Sequence, residues 1–463
     1  MENVGKQSEN KAMVGIIWAL AWPTMLEQLM QTAVQYVDTA MVGVLGTQAT
    51  AAVGATTTVN WLINSSISAL SIGFLAFIAK TIGAKEQEKA KRAVAQAVLI
   101  VLIVGIFFTI VTVALHRQVP VWMQVDKNIQ GMASKYFLIL YLSMLPKTAS
   151  IILGTVLRAA GDTKTPMKVG ILMNLINIVL NFFFIYDSRT ISVFGTNLWV
   201  PGAGLGVLGA AAASAIAVAV GGLCITMILW RHQTVSPKGQ KLLPDMQILK
   251  PCLVVALPNM LQRFGTSLGY VAFAAMINSL GEVSTAAHTI ANTVESLFYI
   301  PGYGMQTAAA TLAGNAYGAG DSPYMKRLAK MFIPLEVILM TISGAALFVT
   351  APALMGLFSK SPEVIRLGAT VLRMVAVSEP FYGYSIIVEG FMMGVGKTKL
   401  PFFINIIGMW GIRIVGTFIC IKFFSMGLIS AWACMIAHNL LLFVMFMVVH
   451  VRGTWNPLED RRK

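Results

Sequence analysis

The chain is expected to be an all-α polytopic membrane protein with twelve transmembrane helices in two six-helix lobes. A pseudo-twofold axis along the membrane normal is expected to relate the lobes. Three observations predict this. First, 57% of the 463 residues are hydrophobic and only 11% are charged, with a mean hydropathy of +0.74, whereas a water-soluble chain must cover itself with polar groups. Second, apolar runs of about twenty residues or more recur along the whole length. They lack the ten-residue alternation of a barrel strand, and helices satisfy their own backbone in hydrocarbon. Third, the two halves repeat each other.

The spans fall near 14–37, 50–79, 93–115, 131–156, 166–186 and 204–230 in the first half. Those of the second fall near 250–276, 285–313, 328–350, 364–393, 402–422 and 427–450. The domain plan is a tail over 1–13, a lobe over 14–230, a linker over 231–249, a lobe over 250–450 and a tail over 451–463. The linker is the longest basic, polar interruption and sits at the midpoint. Trp22-Pro23-Thr24-Met25-Leu26 recurs as Leu257-Pro258-Asn259-Met260-Leu261, and Leu45-Gly46 as Leu280-Gly281. Ile82-Gly83-Ala84 recurs as Tyr317-Gly318-Ala319, and Gly161 to Pro166 as Gly396 to Pro401, always 235 positions apart. One register held through four matches indicates duplicated six-helix units. Six is even, so both halves enter from the same side, which sets the axis along the normal and favours a cleft between lobes.

The net charge of +15 belongs to topology and not to a nucleic-acid partner. About 23 of the 34 lysines and arginines fall in alternate loops and both tails, the positive-inside asymmetry, which predicts cytoplasmic termini in a multi-pass protein of the cell membrane. The polar N-terminus leads into a span too long for a cleavable signal peptide. Cys224, Cys252, Cys420 and Cys434 lie in or beside apolar spans without C-x-x-C spacing and read as packing residues. There is no H-E-x-x-H, no G-x-S-x-G and no pair of intramembrane aspartates, so no enzymatic activity is expected and no metal site is assigned.

An ionisable group inside a span costs on the order of 2–3 kcal/mol at the centre and so asks for a reason. Glu27, Asp38, Lys147, Arg263, Glu295, Arg373, Glu379, Glu389 and Arg413 are the candidates. Lys147, Arg373 and Glu379 are expected near span ends, where they snorkel. Arg263 and Arg413 are expected to pair with carboxylates on neighbouring helices. Glu27, Glu295 and Glu389 divide between buried ion pairs and cavity lining, and His288 and His438 are expected as satisfied interior histidines.

Asp38 differs because polar partners stand near its depth. Asn177 and Asn181 are one helical turn apart on one face of the fifth span, with Asn174 a shorter step back. Counting at 1.5 Å per residue leaves Asp38 roughly 10 Å beyond the two amides, a gap that tilt and the kink at Pro23 reduce. A carboxylate facing amide oxygens makes a pocket for a proton or a small monovalent cation. The alternative is amide-mediated helix packing with an aspartate in the outer headgroup region.

The sequence resembles the multidrug and toxin extrusion (MATE) family over nearly its whole length. The resemblance rests on Trp22-Pro23, on Tyr36 to Gly43, on the LRAAGDTKTP loop from Leu157 to Pro166, on the Asn177/Asn181 pair and on the Gly209 to Ser214 run. It implies a cation-coupled antiporter that exports amphipathic, often cationic organic compounds by alternating access. It further implies that Asp38 is the ion-coupling residue, accompanied by Asn177, Asn181 and Ser214. One branch carries an acid where Thr266 stands and another near Tyr384; neither is present, so the pattern is closer to the DinF-like branch and favours protons over sodium. The expected coupling ion is therefore H+ or Na+, without any other cofactor. Glu27, Asn174, Glu295, Tyr299, Tyr303, Tyr382, Tyr384 and Glu389 are the candidates for lining the substrate cavity, where aromatic surfaces suit flat cations. The expected partners are small-molecule substrates and membrane lipid, with the chain a monomer. The second class is a flippase for a lipid-linked precursor, which would need a basic cavity; the deep ionisable residues here are mixed in sign.

Overall fold

The computed structural model describes residues 2–123, 125–193 and 196–460. Arg461, Arg462 and Lys463, the end of the basic tail, lie outside the described residues. α1 (Glu2–Gly43), α2 (Thr47–Gly83) and α3 (Gln87–Leu115) come first. The short α4 (Gln118–Trp122) leads to α5 (Lys127–Tyr141) and α6 (Met144–Ala159), which meet at a 49° bend. α7 (Lys164–Phe184) is followed by an antiparallel hairpin, β1 (Asp187–Val193) with β2 (Thr196–Ala203), and by α8 (Gly206–Arg231). The second half opens with α9 (Met246–Asn278), α10 (Glu282–Ala319) and α11 (Ser322–Phe358). α12 (Pro362–Ala376) and α13 (Glu379–Gly394) meet at 52°. α14 (Lys399–Ile406) passes through a π-helical stretch, Ile407–Ile414, into α15 (Val415–Lys422). α16 (Leu428–Val451) and the short α17 (Pro457–Asp460) end the described chain.

Eight described helices are long and apolar enough to cross a bilayer, and ten do so when each bent pair counts as one span. With α9 and α10, whose 33 and 38 residues are more than long enough but carry more polar side chains, they make the twelve spans of a two-lobe membrane fold. Outward-facing residues are apolar, as lipid contact demands: α3 presents Ile103, Ile106, Phe107 and Ile110.

The duplication is written into the backbone. Gly46 and Gly281 both have positive φ, at 106° and 97°, and so do Gly161 and Gly396, at 86° and 81°. These chain reversals need the left-handed region that glycine enters without a Cβ penalty. The two broken spans match as well, with the breaks at Leu142–Ser143 and Val377–Ser378.

Residues group into two compact units. One comprises Leu26–Phe74 and Gln87–Leu249, the other Met1–Met25, Leu75–Glu86 and Lys250–Lys463. The linker closes the first of these at Leu249, whereas the start of α1 and the end of α2 are grouped with the later helices. Both helices are longer than a bilayer requires: 42 and 37 residues span about 63 and 55 Å. Residues 2–13, expected as a polar tail, are instead the start of α1, and Glu9 there accepts from Arg327 at 2.7 Å. Between the fifth and sixth spans, where the sequence assigns no span, lie the two strands of the hairpin, Asp187–Val193 and Thr196–Ala203.

Within the first unit, α8 packs on α5, α6 and α7. Small residues on α8 allow this: Ala210, Ala211 and Ala213 are buried, and a Cβ on Gly209 would lie inside van der Waals distance of the Phe184 carbonyl. Gly209→Val is therefore expected to cost about 1–3 kcal/mol through backbone overpacking, read as an earlier melting transition of the purified protein. The linker is pinned to the same unit by Gln96, whose Nε2 donates to the Leu243 carbonyl at 2.8 Å while its Oε1 accepts from Asp245 N at 3.0 Å. In the second unit, α10 packs on α11, α12 and α13 over a core that includes Phe332, Phe391, Leu372 and Trp432.

Candidate functional site

In the first unit, α1 ends beside α7. Tyr186, just past α7, donates to the Met41 carbonyl at 3.1 Å, and Val42, Ala49, Ile185, Val207 and Ala210 close an apolar cluster there. One turn earlier, half-buried Asp38 faces α7. The Nδ2 of Asn181 donates to Asp38 Oδ1 at 2.5 Å and to Asn177 Oδ1 at 3.1 Å. Asn177 Nδ2 in turn donates to Ser214 Oγ on α8 at 2.9 Å. Asn177 and Asn181 are buried. The 10 Å gap expected between Asp38 and the amides does not exist. Residue counting along α1 overstates depth because this helix is longer than the bilayer it crosses.

The arrangement is chemically incomplete in a specific way. Among the described residues the Oδ1 of Asn181 is buried without a hydrogen-bond partner, next to a carboxylate. A carboxylate held out of water needs a compensating positive charge. A proton on Asp38 or a small monovalent cation would supply it, and the hard oxygens of Asp38 and Asn181 suit either. Asn174, on the same helix, is half-buried with its Nδ2 unpartnered among the described residues.

Glu27 is not an open carboxylate. Arg158, in the last turn of α6, donates from Nη2 to both Glu27 oxygens at 2.7 Å, and the two side chains are 16% and 8% exposed. The position suits a cation, since the C-terminal end of a helix carries partial negative charge.

In the second unit the remaining candidates separate into groups. Tyr303 and Tyr382 share a hydrogen bond at 2.9 Å, and the Tyr299 and Tyr303 rings meet edge to face at 5.6 Å. Tyr384 is bonded elsewhere, to His450 Nδ1 at 2.6 Å. Glu389 accepts from Gln262 at 2.7 Å and Asn405 at 3.2 Å. Buried Glu295 lies within electrostatic range of Arg413, and Glu379 within range of Glu295 and Glu336.

Arg413 and Arg263 form no ion pair among the described residues. Arg413 lies over the Phe273 and Tyr270 rings, 4.2 and 4.8 Å from their centroids, and Arg263 donates to Asn259 at 3.1 Å. Glu379 does not snorkel from a span end; it is 2% exposed at the start of α13. His438 has both ring nitrogens unpartnered among the described residues, and His288 its Nδ1. His288 packs by edge contacts with Phe273 and Trp432. Glu336, fully buried on α11 with neither carboxylate oxygen bonded among the described residues, was missed. The cost of an acid in the middle of an apolar span was the signal that would have found it.

The MatE family profile matches residues 23–183 and again 258–419, one match per half. The chain is 26% identical over 436 residues to a probable multidrug resistance protein NorM of Thermotoga maritima, covering 94% of this chain and 92% of that one. It is 25% identical over 402 residues to the multidrug resistance protein MdtK of Yersinia pseudotuberculosis, covering 85% and 84%. Among solved structures, an outward-facing multidrug resistance MATE family transporter of the MOP superfamily superposes with a TM-score of 0.87 at 24% identity, over 96% of each chain; that likeness speaks for the fold. Both halves carry the family pattern, and the chain belongs to the MatE family, a multi-pass membrane transporter of the multidrug and toxin extrusion type.

Proposed function

We propose that this chain exports amphipathic, often cationic organic compounds in exchange for a cation, protons in preference to sodium, by alternating access. The observation that carries the proposal is the Asp38–Asn181–Asn177–Ser214 chain of hydrogen bonds, which ties a membrane carboxylate on α1 to α7 and α8. A cation bound there shifts a conformational equilibrium only by its differential affinity for the two states. A carboxylate on a helix shared between the two compact units provides such a difference when α1 moves. The names of the relatives favour drugs as cargo over a lipid-linked precursor.

Protons are preferred because the acids of the sodium-site branch are replaced. Thr266 Oγ1 donates back to the Gln262 carbonyl at 2.9 Å and Tyr384 bonds His450, so neither position offers a carboxylate. This keeps the chain with the DinF-like branch, with the site on Asp38. In the cell membrane, with both termini cytoplasmic, the inward proton gradient would drive export. Expressing the chain in drug-hypersensitive cells is expected to lower accumulation of a fluorescent organic cation at least about fivefold, without changing translocation of lipid-linked precursors. Unchanged dye accumulation together with faster lipid translocation would replace efflux by the flippase reading.

A further inference from the structure

Lys147 stands out in the first unit for its depth and its neutral surroundings. It stands in the first turn of α6, just beyond the 49° bend that breaks this span. The end of α6 at Ala159 is twelve residues away, about 18 Å, close to the middle of a hydrocarbon layer about 30 Å thick. It therefore does not snorkel from a span end as its sequence position suggested. A charge at that depth needs a partner, and the partners it has are neutral: its Nζ lies 2.8 Å from Asn60 Oδ1 on α2 and 5.8 Å from the centroid of the Tyr141 ring. Among the described residues no carboxylate lies within 4.0 Å of it.

Two further donors point at the same oxygen. Tyr141 Oη reaches Asn60 Oδ1 at 3.2 Å, and Asn64 Nδ2 at 3.3 Å. An amide oxygen has two lone pairs and an ammonium has three protons, so three donors crowd one weak acceptor while Lys147 keeps donor capacity to spare. The positive end of α6 adds to the field, as the ends of broken membrane helices do for anionic cargo. Lys147, Asn60 and Asn64 are half-buried, while Tyr141 is buried beneath them. Lys147, Asn60 and Asn64 thus keep part of their surface accessible, whereas Tyr141 does not.

We infer that Lys147, Asn60, Asn64 and Tyr141 form a mid-membrane subsite that takes the anionic group of a zwitterionic or anionic substrate, a carboxylate, sulfonate or phosphate. An anion entering there replaces the Asn60 oxygen as the shared acceptor and receives charge-assisted bonds from Lys147 together with those of Tyr141 and Asn64. The subsite assigns named residues to the recognition of negative charge on the cargo of the efflux reading, and it rests on that reading.

The test uses the purified full chain and two dyes, a rhodamine with a free carboxylate and its methyl ester, which differ only in that group. Binding is followed by fluorescence anisotropy, and transport of both dyes by proteoliposome assay. Lys147→Met is expected to weaken binding of the carboxylate dye at least about tenfold relative to the ester. Asn60→Asp is expected to do the same, because its carboxylate occupies Lys147 from within; it keeps the inference testable should Lys147→Met fold poorly. The inference is overturned if the wild type does not bind the carboxylate dye, if both variants keep its affinity within about twofold, or if both dyes weaken alike. Selective binding through Lys147 with neither dye transported would instead uphold the subsite and overturn the efflux reading.

Discussion

Asp38→Asn is expected to remove gradient-driven export while leaving the substrate bound. The substitution keeps an oxygen where Asn181 Nδ2 now donates, so the α1–α7 contact retains its shape, and it deletes the charge that a coupling cation would neutralise. Coupling between two ligands of one protein is commonly worth about 1–3 kcal/mol, a factor of about 5–150. Initial export of a fluorescent cation is therefore expected to fall at least tenfold (about 1.4 kcal/mol or more), with the dissociation constant of the same dye unchanged. A smaller loss would move the coupling role to the buried acids of the other unit, Glu295, Glu336 and Glu379.

Arg158→Met produces the largest expected loss of stability. It leaves Glu27, a carboxylate that Arg158 engages through both oxygens, buried without its counter-charge, and breaking a buried pair by removing one partner costs about 3–5 kcal/mol. The double variant Glu27→Met with Arg158→Met removes both charges and is expected to recover most of the loss, because burying two apolar side chains avoids the desolvation that the pair must offset. Thermal unfolding of the single and double variants in detergent measures this. Equal destabilisation of the two would mean that Arg158 acts through its packing and not through Glu27.

What the sequence made legible is what local chemistry determines. The spans follow from apolar length, and the repeat from glycines that must adopt positive φ at Gly46, Gly281, Gly161 and Gly396. The Asn177/Asn181 face follows from helical periodicity, the depth count set Asp38 near it, and the resemblance added Ser214. What was not legible depends on which helices face one another. The closeness of Asp38 to Asn181 was hidden by the length of α1. Lys147 seemed close to a span end because the break between α5 and α6 is not evident from hydropathy. Arg413 sits over aromatic faces and makes no ion pair among the described residues, although Glu295 lies within electrostatic range; which groups it meets depends on how the helices face one another. Glu336 could have been found as an acid inside an apolar span, but that neither of its carboxylate oxygens has a partner among the described residues is a property of the packed unit.

Proton coupling through Asp38 is the step on which the proposed export depends. Purified chain in proteoliposomes, loaded with a fluorescent organic cation and given an imposed pH gradient or an imposed sodium gradient, tests it directly. Dye is expected to move against its gradient with the pH gradient alone, not above background with sodium alone, and not with the pH gradient in Asp38→Asn. Movement driven by sodium alone, or pH-driven movement that Asp38→Asn leaves intact, would contradict it.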